Sequence, residues 1–222
     1  MPVVYSVCVV LAAYLLGSLS FAVIVTRAMG LSDPRTYGSK NPGATNVLRS
    51  GSKAAAVITL LLDAIKGWLP VVLVRWFGEP YGLGEGAVAM AGLAAFLGHL
   101  WPVFFRFEGG KGVLVGISPW LGLFTALTWL VVAAVSRYSS LASLSAALLA
   151  PLVYVLAGGM LWSTDRVTVV AIIAMSALLA WRHKENISRL VQGKESRLGK
   201  SKEVAATAAV PGSANRKRRK RH

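Results

Sequence analysis

Cysteine is all but missing from this chain. Cys8 stands alone inside the first apolar run, which excludes an intrachain disulfide and a cysteine metal cluster. Three scattered histidines, His99, His183 and His222, make a poor case for a histidine-bound metal, and neither a metal nor a cofactor is expected. Acidic residues are scarce too: nine Asp and Glu face 24 Lys and Arg, for a net charge of +15. That balance invites a nucleic-acid partner, but its distribution argues otherwise. Thirteen of the 24 Lys and Arg lie from Arg182 onward, and most others fall in short loops between apolar runs, where cations set membrane orientation. No specific nucleic-acid partner is expected. No basic residue precedes the first apolar run, unlike a secretory signal, so residues 3–25 read as a retained membrane helix. Two motifs of large enzyme classes are also absent. There is no Gly-x-Ser-x-Gly elbow. Gly110-Lys111 is followed by Gly112 and has no glycine five residues before Gly110, so it is not a Walker loop for ATP.

What the chain does have is apolar length. Hydrophobic residues make up 55% of it, gathered in runs at about 3–25, 54–77, 85–105, 112–135, 139–160 and 164–182, where a full span needs roughly 20 residues. The expected class is an all-α integral membrane protein. Arg27, Arg35, Lys40, Arg49 and Lys53 assign the first loop to the cytoplasm and the N-terminus to the outside. Arg106 and Lys111 bring the chain back inside. A single crossing by 112–135 then leaves Arg137 and the basic C-terminus outside, against the charge bias. A break near Gly116, Ser118-Pro119 and Gly122 repairs this by making two short helices that dip in and return. The count is five full spans plus two short helices, about seven in all. Residues 1–200 form a membrane-embedded domain. Residues 201–222 form a basic cytoplasmic tail ending Arg216-Lys217-Arg218-Arg219-Lys220-Arg221-His222, read first as a disordered attachment to anionic lipid headgroups at about 1 kcal/mol per cation and second as RNA-binding.

Two glycine-rich loops lie on the cytoplasmic side. The first runs from Gly38 through Ser39, Lys40, Asn41, Pro42, Gly43, Ala44, Thr45 and Asn46 to Arg49, and the second is Gly109-Gly110-Lys111-Gly112. Each joins a permissive backbone to hydroxyl, amide or cationic side chains, the composition of a phosphate site. Either loop alone also reads as a turn with a topological cation, and their occurrence on one face favours the functional reading. His99 reads as a loop-holding histidine before a catalytic one. His183 and Asn186 share a helical face and are suited to grip a small polar ligand, although a plain polar helix end remains open. Asp63 and Lys66 fall near mid-bilayer and are expected to pair, since each charge there costs about 2.5–3.5 kcal/mol. Ser140 and Ser143 open the next span, as packing residues or ligand contacts.

Taken in order, Gly17-Ser18, the Gly38–Asn46 loop, Leu61-Leu62-Asp63 with Lys66-Gly67, Gly98-His99 with Pro102, Gly109-Gly110-Lys111-Gly112-Val113, Arg137-Tyr138 with Ser140-Leu141-Ala142-Ser143, and His183-Lys184-Glu185-Asn186-Ile187 resemble the bacterial acyl-phosphate:glycerol-3-phosphate acyltransferases. The resemblance covers about residues 3–200. It departs at Ser20, where the family usually has Pro, and at Leu114-Val115, where it usually has Ala-Thr.

The resemblance implies an enzyme of the bacterial inner membrane with a cytoplasmic active site. It moves a fatty acyl group from acyl phosphate to the 1-hydroxyl of sn-glycerol 3-phosphate, the first step of phospholipid synthesis. Ser39, Arg49 and Lys111 hold phosphate, helped by backbone N–H groups around Gly43 and Gly110, while Asn41, Thr45 and Asn46 complete the first loop and Gly109 and Gly112 the second. His183 and Asn186, with Ser143, orient the glycerol hydroxyls. The proton of the attacking hydroxyl goes to His183 or to a phosphate oxygen of the donor, the resemblance favouring the latter. None of the histidines heads the His-x4-Asp pattern of another glycerolipid acyltransferase family, which argues against a thioester donor. The runner-up is a transporter of a phosphorylated metabolite. Oligomeric state stays open.

Overall fold

The computed structural model describes residues 2–111 and 118–198. Among these residues the chain is helical throughout, with one isolated bridge between Gly158 and Trp162 and no sheet.

The first apolar run is not one straight helix. It is α1 (Pro2–Gly17) and α2 (Phe21–Ala28), bent by 42° at the Ser18–Ser20 break. Gly17 lies where a Cβ would overlap the backbone of Ala95, and Gly98 where a Cβ would overlap the carbonyl of Tyr14. These two glycines bring α1 and α5 (Glu85–Leu100) into backbone contact, the small-residue packing that replaces hydrophobic drive between helices in lipid. Gly98→Val therefore has to push two backbones apart. It is expected to cost about 1–3 kcal/mol or more, seen as a lowered midpoint of thermal unfolding in detergent.

Ser52 caps α4 (Lys53–Phe77) by accepting the N–H of Ala55 at 3.2 Å. Its 25 residues span about 37 Å. A short α3 (Ala44–Val47) lies ahead of it in the first loop. After Lys111 the described chain resumes at Ser118, the N-cap of α6 (Pro119–Ser136), with Pro at the first helical position as the cost-free place for it. Arg137 and Tyr138 turn α6 directly into α7 (Ser139–Leu156), which packs on α8 (Arg166–Arg182). Asp165 caps α8 through the N–H of Thr168 at 2.9 Å. At His183 the axis bends by 58° into α9 (Lys184–Val191).

One expectation changes. Gly122 does not split the 112–135 run: α6 continues through it as one 18-residue helix, because a glycine inside an otherwise strong helix costs only about 1 kcal/mol. The helix begins at Pro119 behind Ser118, and Gly116 is outside the described residues. Among those residues four helices are long and apolar enough to cross a membrane, or six with each bent pair taken as one. The reason for invoking a break does survive. Thr45 Oγ1 and Ser139 Oγ are 3.1 Å apart, so the Arg137 turn shares one end of the bundle with the first glycine loop.

Buried alanines on α5 and α7 pack beside Phe96, Leu100, Ile172 and Met175, while many large apolar side chains point outward: Leu148 is 70% exposed, Val131 60% and Leu61 57%. Such an inside-out distribution suits a hydrocarbon solvent.

Candidate functional site

At that end of the bundle the first loop is fastened by Asn46. Its Oδ1 accepts the N–H of Ser39 at 3.1 Å and Nη1 of Arg49 at 3.3 Å. Its Nδ2 donates to the carbonyls of Pro34 at 2.6 Å and Tyr37 at 3.1 Å. Asn46 is thus buried and occupied, a clamp for the loop with no donor left for a ligand. Gly38 turns beneath it at φ +58, where a Cβ would overlap Asn46 Oδ1. Ser39 and Lys40 are left exposed, Asn41, Gly43 and Thr45 half-buried. The half-buried Arg49 guanidinium donates to Ser196 Oγ.

The second loop is held by its own backbone. Arg182 Nη2 donates to the carbonyls of Gly109 at 2.9 Å and Gly110 at 3.1 Å, and Gly110 N–H donates to the carbonyl of His99 at 2.9 Å. Both glycines press on the end of α5, where a Cβ would strike the His99 carbonyl or ring. The Gly110 amide is therefore spent on α5 and does not face outward. The loop's chemistry rests on Lys111, whose Nζ donates to Asn186 Oδ1. Gly112 lies outside the described residues.

The bend after α8 supplies the third part. His183 is buried and its Nδ1 lies 2.8 Å from the Leu179 carbonyl. A carbonyl only accepts, so this bond puts the proton on Nδ1 and leaves Nε2 as the basic nitrogen of the neutral ring. Asn186 Nδ2 donates to Glu195 Oε1 at 2.6 Å. The same carboxylate accepts Ser140 Oγ at 2.8 Å and Arg189 Nε at 2.8 Å.

The result is a cluster of cations, Lys111, Arg182 and Arg189 with Arg49 nearby, interleaved with the carboxylates of Glu195 and Glu185, the latter 3.9 Å from Arg189 Nη1. Burial, and then the charge of Arg189, lowers the Lys111 pKa to about 8. Burial raises that of Glu195, but its bonds from Arg189, Asn186 and Ser140 outweigh this and hold it below the usual carboxylate value. Such a surface has the charge that an anion requires, with an amide and an imidazole beside it.

Ser143 is not part of the cluster. It accepts Trp129 Nε1 at 3.1 Å and donates to the Ser139 carbonyl at 3.0 Å, so it belongs to the α6–α7 contact, and Ser140 faces the site instead. Arg182, Arg189 and Glu195 are the residues that sequence reasoning missed. Arg189 shares a helical face with Asn186 and was open to discovery by spacing. Arg182 was masked by its second meaning as an orientation charge, and Glu195 follows the last apolar run with no pattern around it. Among the described residues no three His, Cys, Asp or Glu gather as a metal site would need.

A family model described as glycerol-3-phosphate acyltransferase matches residues 7–193. A glycerol-3-phosphate acyltransferase from Albidiferax ferrireducens is 64% identical over 196 residues, 86% of this chain and 88% of the relative. One from Paraburkholderia phymatum is 58% identical over 207 residues, 90% of this chain and 96% of the relative. Among solved structures, the integral membrane glycerol 3-phosphate acyltransferase PlsY in its glycerol 3-phosphate form superimposes with a TM-score of 0.78. It is 39% identical, over 88% of this chain and 96% of that one. Its lysophosphatidic acid form gives a TM-score of 0.76 and 38% identity, over 87% and 95%.

Proposed function

The chain belongs to the glycerol-3-phosphate acyltransferase family, and from that premise we propose which acyl donor it uses and how its residues divide the work. It is an integral membrane enzyme that acylates glycerol 3-phosphate. The donor is acyl phosphate. The 1-hydroxyl oxygen of sn-glycerol 3-phosphate attacks the acyl carbon, the bond from that carbon to the phosphate oxygen breaks, and 1-acylglycerol 3-phosphate and inorganic phosphate leave. Phosphate departs readily, so no acyl-enzyme nucleophile is needed. Of the serines in the site, Ser140 donates to Glu195 and Ser39 is exposed, while His183 Nδ1 is committed to Leu179; no serine–histidine nucleophile is assembled from them.

The observation that carries the assignment is the meeting of Lys111, Asn186 and the Arg189–Glu195 pair at the end of the bundle where Arg49 also lies. Two phosphate-bearing substrates require such a density of cations. Ser39, Arg49 and Lys111 bind phosphate, with Arg189 adding charge. Asn186 and His183 orient the glycerol hydroxyls. The hydroxyl proton passes to a donor phosphate oxygen or to His183 Nε2. Most of the acceleration comes from positioning and from charge stabilisation at the tetrahedral stage. The cationic end faces the cytoplasm across the bacterial inner membrane, with the N-terminus outside. Residues 1–200 are the acyltransferase domain, and the tail at 201–222, outside the described residues, attaches to anionic headgroups. Membership of this family leaves the transporter reading without support.

The test is phosphate release by purified protein given palmitoyl phosphate, with and without glycerol 3-phosphate, and identification of the lipid by mass. Release that depends on glycerol 3-phosphate is expected; activity with palmitoyl-coenzyme A alone would overturn the donor assignment. The pH profile adds a second prediction. A lysine pKa lowered to about 8 means that the cation is present below pH 8 and lost as pH rises through it. We expect kcat/KM to fall about tenfold per unit above pH 8. The kcat limb should lie higher, because bound phosphate restores the lysine proton. Lys111→Arg should flatten the alkaline limb.

A further inference from the structure

We propose that Asp63, Lys66 and His99 form a buried polar strut that sets the height of the Gly109–Lys111 loop, with His99 as a positioning residue for the acyl transfer. This rests on the reading that Lys111 binds substrate phosphate.

The three side chains are 5%, 3% and 9% exposed. Lys66 Nζ is 2.8 Å from Asp63 Oδ1, and it donates to the carbonyl of Leu19 at 2.6 Å. Leu19 sits in the break between α1 and α2, where the bend frees a carbonyl from its helical partner. Asp63 Oδ1 is 3.9 Å from His99 Nδ1, too far for a direct hydrogen bond. Asp63, Lys66, Gly92, Phe96 and His99 border a cavity with about 10 Å³ for the centre of a water molecule, room for one bridging water. The opposite edge of the imidazole, Nε2, lies against Gly110 so closely that a Cβ there would overlap it. The His99 carbonyl also accepts the Gly110 N–H at 2.9 Å. Polar groups thus line up from the α1–α2 break, through the ion pair on α4 and a gap with room for one water, to the underside of the glycine loop.

An ion pair serving stability alone leaves this geometry unexplained. Replacing a buried pair by apolar residues of similar size is often neutral or stabilising. What an apolar replacement cannot supply is an orienting partner for the imidazole beneath Gly110. The strut fixes the loop from below while Arg182 holds its carbonyls from the side, and Lys111 is displayed from the loop so held.

The test measures kcat, KM for glycerol 3-phosphate and the unfolding midpoint for His99→Ala, for the paired Asp63→Leu/Lys66→Met variant, for Lys111→Ala, and for His99→Ala combined with Lys111→Ala. A shift of the lysine by about 1 Å can lower the rate about 100-fold, so His99→Ala and the paired variant are each expected to lose about that much kcat/KM. The discriminating readout is coupling: in the Lys111→Ala background, His99→Ala should cost little more, because its effect acts through the lysine. A purely structural histidine predicts the same loss in both backgrounds, and that result overturns the proposal. A folded paired variant with full activity overturns it too, whether or not His99→Ala folds. If Lys111→Ala itself stays active, the site assignment has failed, and this outcome is distinct from the other two.

Discussion

Lys111→Ala lowers kcat/KM about a thousandfold and leaves the fold intact: that is the expected result with the largest effect on catalysis. The lysine is separable from the architecture that presents it. The loop's shape depends on Arg182 holding two carbonyls and on the Gly110 amide bonded to His99. Lys111 contributes only its ammonium, directed at Asn186. Truncation removes the half-buried charge proposed to meet the phosphate, and Asn186 loses a donor, yet no backbone contact changes. Initial rates of phosphate release and an unfolding midpoint on the same preparation check both halves. A folded alanine variant with more than a tenth of the activity would falsify the role assigned to Lys111. Arginine should restore part of the rate, since it keeps the charge but presents a planar fork in place of a point.

Glu195→Ala should act in the opposite sense, on stability first. Its side chain is 7% exposed and gathers Ser140, Asn186 and Arg189 into one contact. Losing a charged acceptor that serves three donors is expected to cost about 1.5–3 kcal/mol, read from thermal or denaturant unfolding in detergent. Because the folded carboxyl is held below its ordinary value of 4.5, this contribution is fully present above pH 4.5 and is lost as pH falls through the lowered value. Glu195→Gln keeps one oxygen acceptor for the Ser140 and Asn186 donors, so a smaller loss is expected. A loss as large as alanine's would show that the charge toward Arg189 dominates.

The parts of the architecture that were legible in advance are those dictated by composition over many residues. Apolar runs located the helices, and glycine next to lysine marked the second loop. The return of Arg137 to the loop side followed from charge bias, and the Thr45–Ser139 contact agrees with it. Legibility failed where a residue carries two meanings. Gly122 reads as a breaker, but one glycine does not outweigh the apolar packing of α6. Arg182 reads as an orientation charge and turns out to hold the glycine loop by its carbonyls. The glycines of that loop suggested free amides for an anion, and their small size instead serves contact with α5. Asn46 and Ser143 show the same limit, since a polar side chain in a motif does not disclose whether its bonds are already taken. Glu195 lay past the last patterned residue, and only the folded path of the chain brings it back to Ser140.

The site draws its groups from three separated stretches of the chain: the first loop, Lys111 and residues 183–195. A nascent chain that has threaded only its first helices into the bilayer holds the first loop with Arg49 but lacks Lys111, Asn186 and Glu195. The cluster of Lys111, Asn186, Glu195 and Ser140 therefore forms only once the chain has been made through Glu195 and has folded back under the loops.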